Sequence, residues 1–472
     1  MSKEQQLADL HKQAIEYSNR QDYTQALQLF ISMLEIEPEQ PEIMFNSAVM
    51  CDLLGETHTA LQVIREALQL EPTMPQAHLY LGRMLYRFKE YRAAQASLRR
   101  AIQYDISNND AYNLYRDVTE RQGYSVVDEH TDLVFYVVGG CEFHGNSPEE
   151  SGIGGSESAV VYLTRALAKK GKRIKVFTNC PKPGIYKGVE YFDLVDFYIF
   201  NHFNKIERFV SVRSVKPFRN GVNAKQRYLW IHDNPNIKLN DVANNIDRII
   251  AVSEWHKQQW MNEFKLSAEK FYATRNGIDE NLFQADQMPA REKRLIFTSQ
   301  PQRGLDNMLR MMPAIRTQCP DAELHVFYYP SPDVALTIKQ ICEQQDMSGV
   351  YLRGSVDKVT LANELMKARV WVYPTSCLET SCIAAIEAQA AGTPVVCSKL
   401  AALPEAVIDT QTGWLIDGDP NDTDYQNQFI EKTVALLKDD TLWLQASTRC
   451  REHVQSHYTW KQVADEWLAE LL

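Results

Sequence analysis

This sequence contains no run of about 18 apolar residues, the length a helix needs to cross a bilayer. It also lacks positive charge in excess: 50 Lys and Arg face 61 Asp and Glu, a net charge of -11. That balance argues against nucleic acid as the main partner and against a strongly anionic membrane surface. Metal-finger spacing is missing too. The nine cysteines are scattered, and the neighbours Cys377 and Cys382 have no further Cys or His pair at zinc spacing. Reduced thiols in a cytoplasmic protein are the expectation. The opening stretch, MSKEQQLADLHKQ, reads as polar and helical rather than as a secretory signal. What is present is ordinary globular material: 472 residues, 44% hydrophobic and 24% charged. That is enough for cores in two to four domains.

The first hundred residues repeat. Ala26, Ala60 and Ala94 lie at intervals of 34, as do Ala14, Ala48 and Gly82, and also Pro38 and Pro72. YTQALQLFISMLEIEPEQPE and HTALQVIREALQLEPTMPQA read as one unit twice, and YRAAQASLRRAIQYDISNND is a third copy without the proline. Small residues at fixed positions let two helices approach closely, and the proline ends the second helix of each pair. This period and pattern resemble the tetratricopeptide repeat, in three copies between about Leu7 and Asn108. NNDAYNLYRDVTERQGY is a further helix that would cap the stack. The resemblance implies a solenoid over residues 1–125 whose concave face holds a peptide or protein partner. The plainer reading is that it braces a neighbouring domain or mediates dimerisation.

Beyond Gly123 the pattern changes. TDLVFYVVGG is a short apolar run ending in glycines, as a buried parallel strand should be. RIKVFTN, VDFYIFN, RYLWIHD and DRIIAVSE follow as further strands, with helical or loop material between them. The series restarts at KRLIFTS and continues through ELHVFYY, GVYLRG, ARVWVYP and TPVVCS. Two alternating series predict an α/β architecture of two Rossmann-like domains, over residues 130–285 and 290–455. Their boundary falls in the polar stretch DENLFQADQMPAR. Residues 456–472 form an amphipathic helix, either crossing back to the first α/β domain or exposed for homo-oligomerisation. Ligands belong in the cleft at the carboxyl ends of the strands.

Chemistry concentrates in CLETSCIAAIEAQAAGTPVV, residues 377–396. Glu379 follows a strand. Thr380 and Ser381 are suited to cap the helix that contains Glu387, and Gly392 to stop it. A helical rise of about 1.5 Å per residue would separate the two carboxylates by roughly 12 Å, about the span of a sugar-nucleotide. One carboxylate would meet hexose hydroxyls and the other ribose hydroxyls. The helix N-terminus between them suits a diphosphate.

Glu-x7-Glu after a strand, followed by AxAAGTPVV, resembles the signature of retaining GT-B glycosyltransferases of family four. The resemblance implies that Glu379 contacts the donor sugar and Glu387 the ribose. Where that family usually has Phe-Gly after the first glutamate, this chain has Thr380 and Ser381. In FTSQPQRGLDNML, Arg303 before Gly304 matches the family's phosphate-binding cation. The second arginine often found a few positions earlier is replaced by Ser299 and Gln300. GIGGSESAV, residues 152–160, resembles the loop that covers the phosphates, with Gly154 and Gly155 admitting close backbone approach. His232 in YLWIHDNP matches a histidine that approaches the donor sugar. Ser253, Asn276, Gly277 and Asp279 lie in further family-like stretches. His256 is expected on a helix surface, without a role.

No Asp-x-Asp stands in a metal-binding loop context, so no metal and no cofactor are expected. Arg303 and helix N-termini would stabilise the leaving diphosphate instead. The implied enzyme moves a hexose or N-acetylhexosamine from a nucleoside diphosphate sugar, UDP-sugars being the more frequent in the family. Repeats ahead of a GT-B body also resemble the domain order of the O-GlcNAc transferases, although those lack the Glu-x7-Glu pattern. That order suggests a protein acceptor modified on Ser or Thr, a bacterial surface or flagellar protein among the candidates. The alternatives are a saccharide or lipid-linked acceptor in envelope polysaccharide synthesis, and a non-catalytic scaffold.

Overall fold

The computed structural model describes residues 2–128, 130–150, 153–284 and 289–472. Gly152 of the glycine-rich loop, and residues 285–288 of the stretch expected to join the α/β domains, lie outside the described residues. The chain folds into two compact units. One comprises Met1–Glu129 and Val195–Lys205, the other His130–Leu194 and Ile206–Leu472.

The first unit is all-helical. Its helices run Lys3–Asn19, Tyr23–Ile36, Pro41–Leu53, Thr57–Leu70, Pro75–Arg87, Tyr91–Tyr104 and Asn109–Arg121. Pro41 and Pro75 open their helices at the first turn, where no amide hydrogen is needed. Ala26, Ala60 and Ala94 are fully buried at the helix contacts. Gly82 is required by the same closeness, since a Cβ there would lie 2.7 Å from Leu98 Cγ. The 34-residue period also appears in the backbone: Gln21, Gly55, Lys89 and Gly123 all have positive φ, 63°, 90°, 61° and 83°. Each sits at the turn after the first helix of a pair, and in two of the four places a non-glycine accepts the strained conformation.

VDFYIFN, expected as a strand, is instead part of the helix Asp196–Phe203. It belongs to the helical unit rather than to the first α/β domain, where residues 130–285 were expected to stay together. The reason lies in its surroundings. Arg99 forks onto Asp196 through Nε at 2.6 Å, His202 stacks on Tyr112 with centroids 3.9 Å apart, and Ile199 is buried against Ala101, Ile102 and Ala111. Packing on helices overrides the β-propensity of an aromatic-rich run.

The second unit holds two sheets. The first has strands β1 Leu133–Val137, β2 Ile174–Thr178, β3 Gly184–Tyr186, β4 Val189–Asp193, β5 Ile206–Val212, β6 Ala224–Trp230, β7 Arg248–Ala251 and β8 Phe271–Ala273. Their order is β3-β4-β2-β1-β5-β6-β7-β8, parallel except for the β3/β4 pair. The second sheet contains β9 Arg294–Thr298, β10 Glu323–Phe327, β11 Val350–Gly354, β12 Val370–Tyr373, β13 Val395–Ser398 and β14 Gly413–Ile416. Its order is β11-β10-β9-β12-β13-β14, all parallel. This is the GT-B architecture, an α/β body of two parallel sheets accompanied by an all-helical region. Five strands (β3, β4, β5, β8 and β14) had no counterpart in the sequence reading.

In each sheet the strand order reverses at one point, between β1 and β5 and between β9 and β12. At such points the connecting loops part in opposite directions and leave a crevice at the carboxyl ends. The last helix, Trp460–Glu470, packs into the core of the first sheet's domain through Trp460, Val463, Ala464 and Trp467. Trp467 meets Trp230 edge to face at 5.0 Å, and Tyr228 donates to the Leu471 carbonyl at 2.9 Å.

Candidate active site

The switch point of the second sheet explains why residues far apart in sequence meet. β9 and β12 are neighbours, so the loops that follow them leave the sheet side by side. Arg303 sits in the first loop, at the end of a short 3-10 turn Pro301–Arg303. Gly304 follows with φ 111°, and a Cβ there would lie 2.4 Å from the Pro374 carbonyl oxygen, so the two loops touch through a glycine. Glu379 is in the second loop. Arg303 Nη1 donates to Glu379 Oε1 at 2.7 Å, across 76 residues of sequence.

Glu379 is held on a second side by Tyr373, whose hydroxyl donates to the same Oε1 at 2.5 Å. Burial and the adjacent Glu379 charge raise the Tyr373 pKa, so the phenol keeps its proton and remains a donor. Ser299 Oγ lies 3.2 Å from that hydroxyl. The carboxylate is 9% exposed. It is fixed by charge and hydrogen bonds before any ligand arrives.

The helix after Glu379 runs Ile383–Ala390. Its N-cap is Cys382, with no side-chain cap bond, which corrects the expectation that Thr380 and Ser381 cap it. The eight-residue interval between the glutamates is therefore half loop, and a helical rise does not measure it. Thr380 and Ser381 are committed elsewhere. Thr380 Oγ1 donates to the His232 carbonyl at 2.8 Å, and Ser381 Oγ accepts from Asn276 Nδ2 at 3.1 Å. The main chain of the same loop is also gripped: Ser253 Oγ donates to the Thr380 carbonyl at 2.7 Å, and Asn234 Nδ2 to the Leu378 carbonyl at 3.2 Å. Gly392 ends the helix with φ 70°, as expected of a terminating glycine.

Glu387 lies on the second turn and is paired with Lys358, Nζ to Oε1 at 2.5 Å. Glu387, Lys358 and Arg303 line one cavity of about 270 Å³ together with Ser299, Gln300, Tyr328 and Tyr329. A second cavity of about 250 Å³ is lined by Glu379, Arg303, Thr380, Ser381, His232 and Asn276. Ile383 and Ala384, the first turn of the helix, line both. The two carboxylates thus face two cavities that share a helix N-terminus and a guanidinium.

His232 comes from the end of β6. Burial, with His256 and Arg213 nearby, pushes its pKa down to about 3, so it is neutral. Its Nε2 is buried without a hydrogen-bond partner, and such an orphan is rare in a packed interior. His256 is not on a surface, as the sequence suggested. It is fully buried, with Nε2 2.8 Å from the Asp233 carbonyl, and burial lowers its pKa to about 4. It braces the loop that presents His232.

Gly154 and Gly155 open the helix Gly155–Lys169. A Cβ on Gly155 would lie 3.3 Å from Ile383 Cδ1, so this glycine lets the two domains' helix starts approach. A Cβ on Gly154 would lie 2.3 Å from Glu157 Oε2. Its room is thus taken by Glu157, a buried carboxylate whose pKa is raised by burial. Gly277 packs against Trp460, and a Cβ there would be 2.7 Å from the indole. Lys358, Tyr373 and Glu157 are the site residues that sequence reasoning missed. Glu157, three residues past Gly154, and Tyr373, at the end of the strand ahead of Glu379, stand beside motifs that could have pointed to them; Lys358 does not.

Residues 292–439 match the family described as Glycosyl transferases group 1. The MMP alpha-(1->4)-mannosyltransferase of Mycolicibacterium hassiacum is 30% identical over 168 residues, 35% of this chain and 40% of that protein. The phosphatidyl-myo-inositol mannosyltransferase of Mycobacterium tuberculosis is 28% identical over 176 residues, 35% of this chain and 45% of that protein. The chain thus spans less than half the length of these two relatives. In structure, the sucrose-phosphate synthase of Thermosynechococcus elongatus superposes with a TM-score of 0.58 at 18% identity, over 72% of this chain and 98% of the other. That likeness is one of fold. The residues that match this family, 292–439, include Arg303, Lys358, Glu379 and Glu387.

Proposed function

We propose that this chain is a retaining glycosyltransferase that moves a hexose or N-acetylhexosamine from a nucleoside diphosphate sugar. The observation that carries this reading is the pair of adjoining cavities, with Glu379 in one, Glu387 in the other and Arg303 in both. Glu387 would accept from the ribose hydroxyls, and Glu379 from hydroxyls of the sugar. Arg303 and the N-terminus of Ile383–Ala390 would stabilise charge building on the leaving diphosphate. His232, neutral and with a free ring nitrogen, would take a sugar hydroxyl. The protein would then supply positioning and electrostatics to an oxocarbenium-like transition state on the face the leaving group vacates.

The reaction is proposed to need no divalent ion, so a chelator should leave turnover within about twofold if the guanidinium does this work. The test of the whole reading is incubation of the protein with UDP- and GDP-sugars. Slow release of nucleoside diphosphate is expected, and absence of both turnover and nucleotide binding would defeat it.

For the acceptor, we propose Ser or Thr of a polypeptide held by the helical unit, on the strength of its repeated helix pairs. A second reading is a saccharide or lipid-linked acceptor, since one relative is named for phosphatidyl-myo-inositol. Intact mass spectrometry of co-expressed candidate proteins decides. A mass increase of one hexose or N-acetylhexosamine supports the first reading. Transfer confined to added saccharides or lipids supports the second.

A further inference from the structure

The family-like cation ahead of Arg303 is replaced in this chain by Ser299 and Gln300, yet the same cavity contains a second cation. Lys358 reaches it from a different element, the first position of the helix Lys358–Lys367. Two features make this placement costly for the fold. A cation at the first turn of a helix opposes the helix dipole. A largely buried ion pair rarely repays the desolvation of both charges. The Lys358 and Glu387 side chains are only 15% and 13% exposed. Gln300 lines the same cavity, and its Oε1 is buried without a partner.

We propose that Lys358 is the second cation for the donor diphosphate. It holds Glu387 toward the ribose with one hydrogen and engages a phosphate oxygen with another. An ammonium can serve both partners because its three donors diverge from one point. This rests on the nucleotide-sugar reading above.

The test is calorimetric titration of the full chain with UDP, UMP and uridine, and with GDP, GMP and guanosine. For K358M, which keeps most of the stem but no charge, affinity for the diphosphate should fall about 10- to 100-fold, as loss of a charge-assisted phosphate contact predicts. Nucleoside affinity should fall by a clearly smaller factor, about threefold, since only the hold on Glu387 is lost. K358R should retain most of the diphosphate affinity. Equal losses for nucleoside and diphosphate would overturn the proposal and leave Lys358 as an anchor for Glu387 alone. Unchanged binding of both would overturn it too. If the unaltered chain binds no nucleotide at all, the donor reading itself falls. Should K358M fail to fold, amine acetylation of the unaltered chain decides. Protection of Lys358 by UDP but not by uridine supports the proposal, and equal protection overturns it.

Discussion

Thr380 Oγ1 donates to the backbone carbonyl of His232 at 2.8 Å, joining the loop that carries Glu379 to the loop that carries the histidine. This bond is one of four. Asn234, Ser253 and Asn276, all from the first α/β domain, hold Leu378, Thr380 and Ser381 of the second. Two of the four use side-chain oxygens that a Phe-Gly pair would not have. The departure from the family pattern thus supplies two of the four bonds that join the domains beside Glu379.

Removing those oxygens should loosen the loop without emptying the nucleotide cavity. T380V S381A should lower kcat for donor hydrolysis about 10- to 30-fold, the worth of one to two hydrogen bonds, with Kd for nucleoside diphosphate nearly unchanged. Steady-state kinetics beside calorimetry separates the two effects.

Glu387 should act on binding and Glu379 on turnover. E387A should weaken nucleoside diphosphate binding about 10- to 100-fold, since hydrogen bonds to a carboxylate are the strong kind. E379Q should bind the nucleotide normally and lose about 100-fold or more in kcat, as expected of a contact realised mainly in the transition state.

Tyr373, which lines the Glu379 cavity, is expected to position Glu379 rather than to touch substrate. Y373F deletes one donor to the carboxylate and leaves Arg303 in place. A fall in kcat of about fivefold to tenfold with unchanged KM is expected, and R303M should cost more because it also removes the positive charge proposed to meet the diphosphate. A KM effect alone from Y373F would show that the phenol contacts the sugar.

The two buried histidines set an acid limit on stability. In the unfolded chain a histidine takes up a proton near pH 6.5, whereas His232 and His256 in the folded chain do so only near about 3 and about 4. Between those values the unfolded state binds more protons, so stability falls as pH drops from 6.5 toward 4. Thermal melts from pH 7 to 4 should show the decline, and H256Q should make it shallower.

Much of this was legible in the chain, and what was not has physical causes. The strand–loop–helix around residues 377–396 could be read because its apolar run, glycine stop and spacing are local. Arg303 stood beside a glycine and was equally visible. Lys358 was not, because it meets Glu387 across 29 residues and a lone lysine at a helix start has no pattern. His256 sits among polar neighbours, so its burial depends on a loop from another strand. VDFYIFN carries a strand's composition, and only its partners Arg99 and Tyr112 make it a helix. Strands β3 and β8 are three residues long, too short to show alternation.

The helix Asp196–Phe203 interrupts the first α/β domain between β4 and β5, yet it is grouped with the helical unit, where Ile199 shares a core with Ala101, Ile102 and Ala111. The chain therefore passes from one unit to the other three times, not once. A chain cut near residue 125 would separate Ile199 from Ala101, Ile102 and Ala111, its partners in one core. No single cut in the sequence therefore separates the two units, and a boundary drawn at one position divides at least one of them.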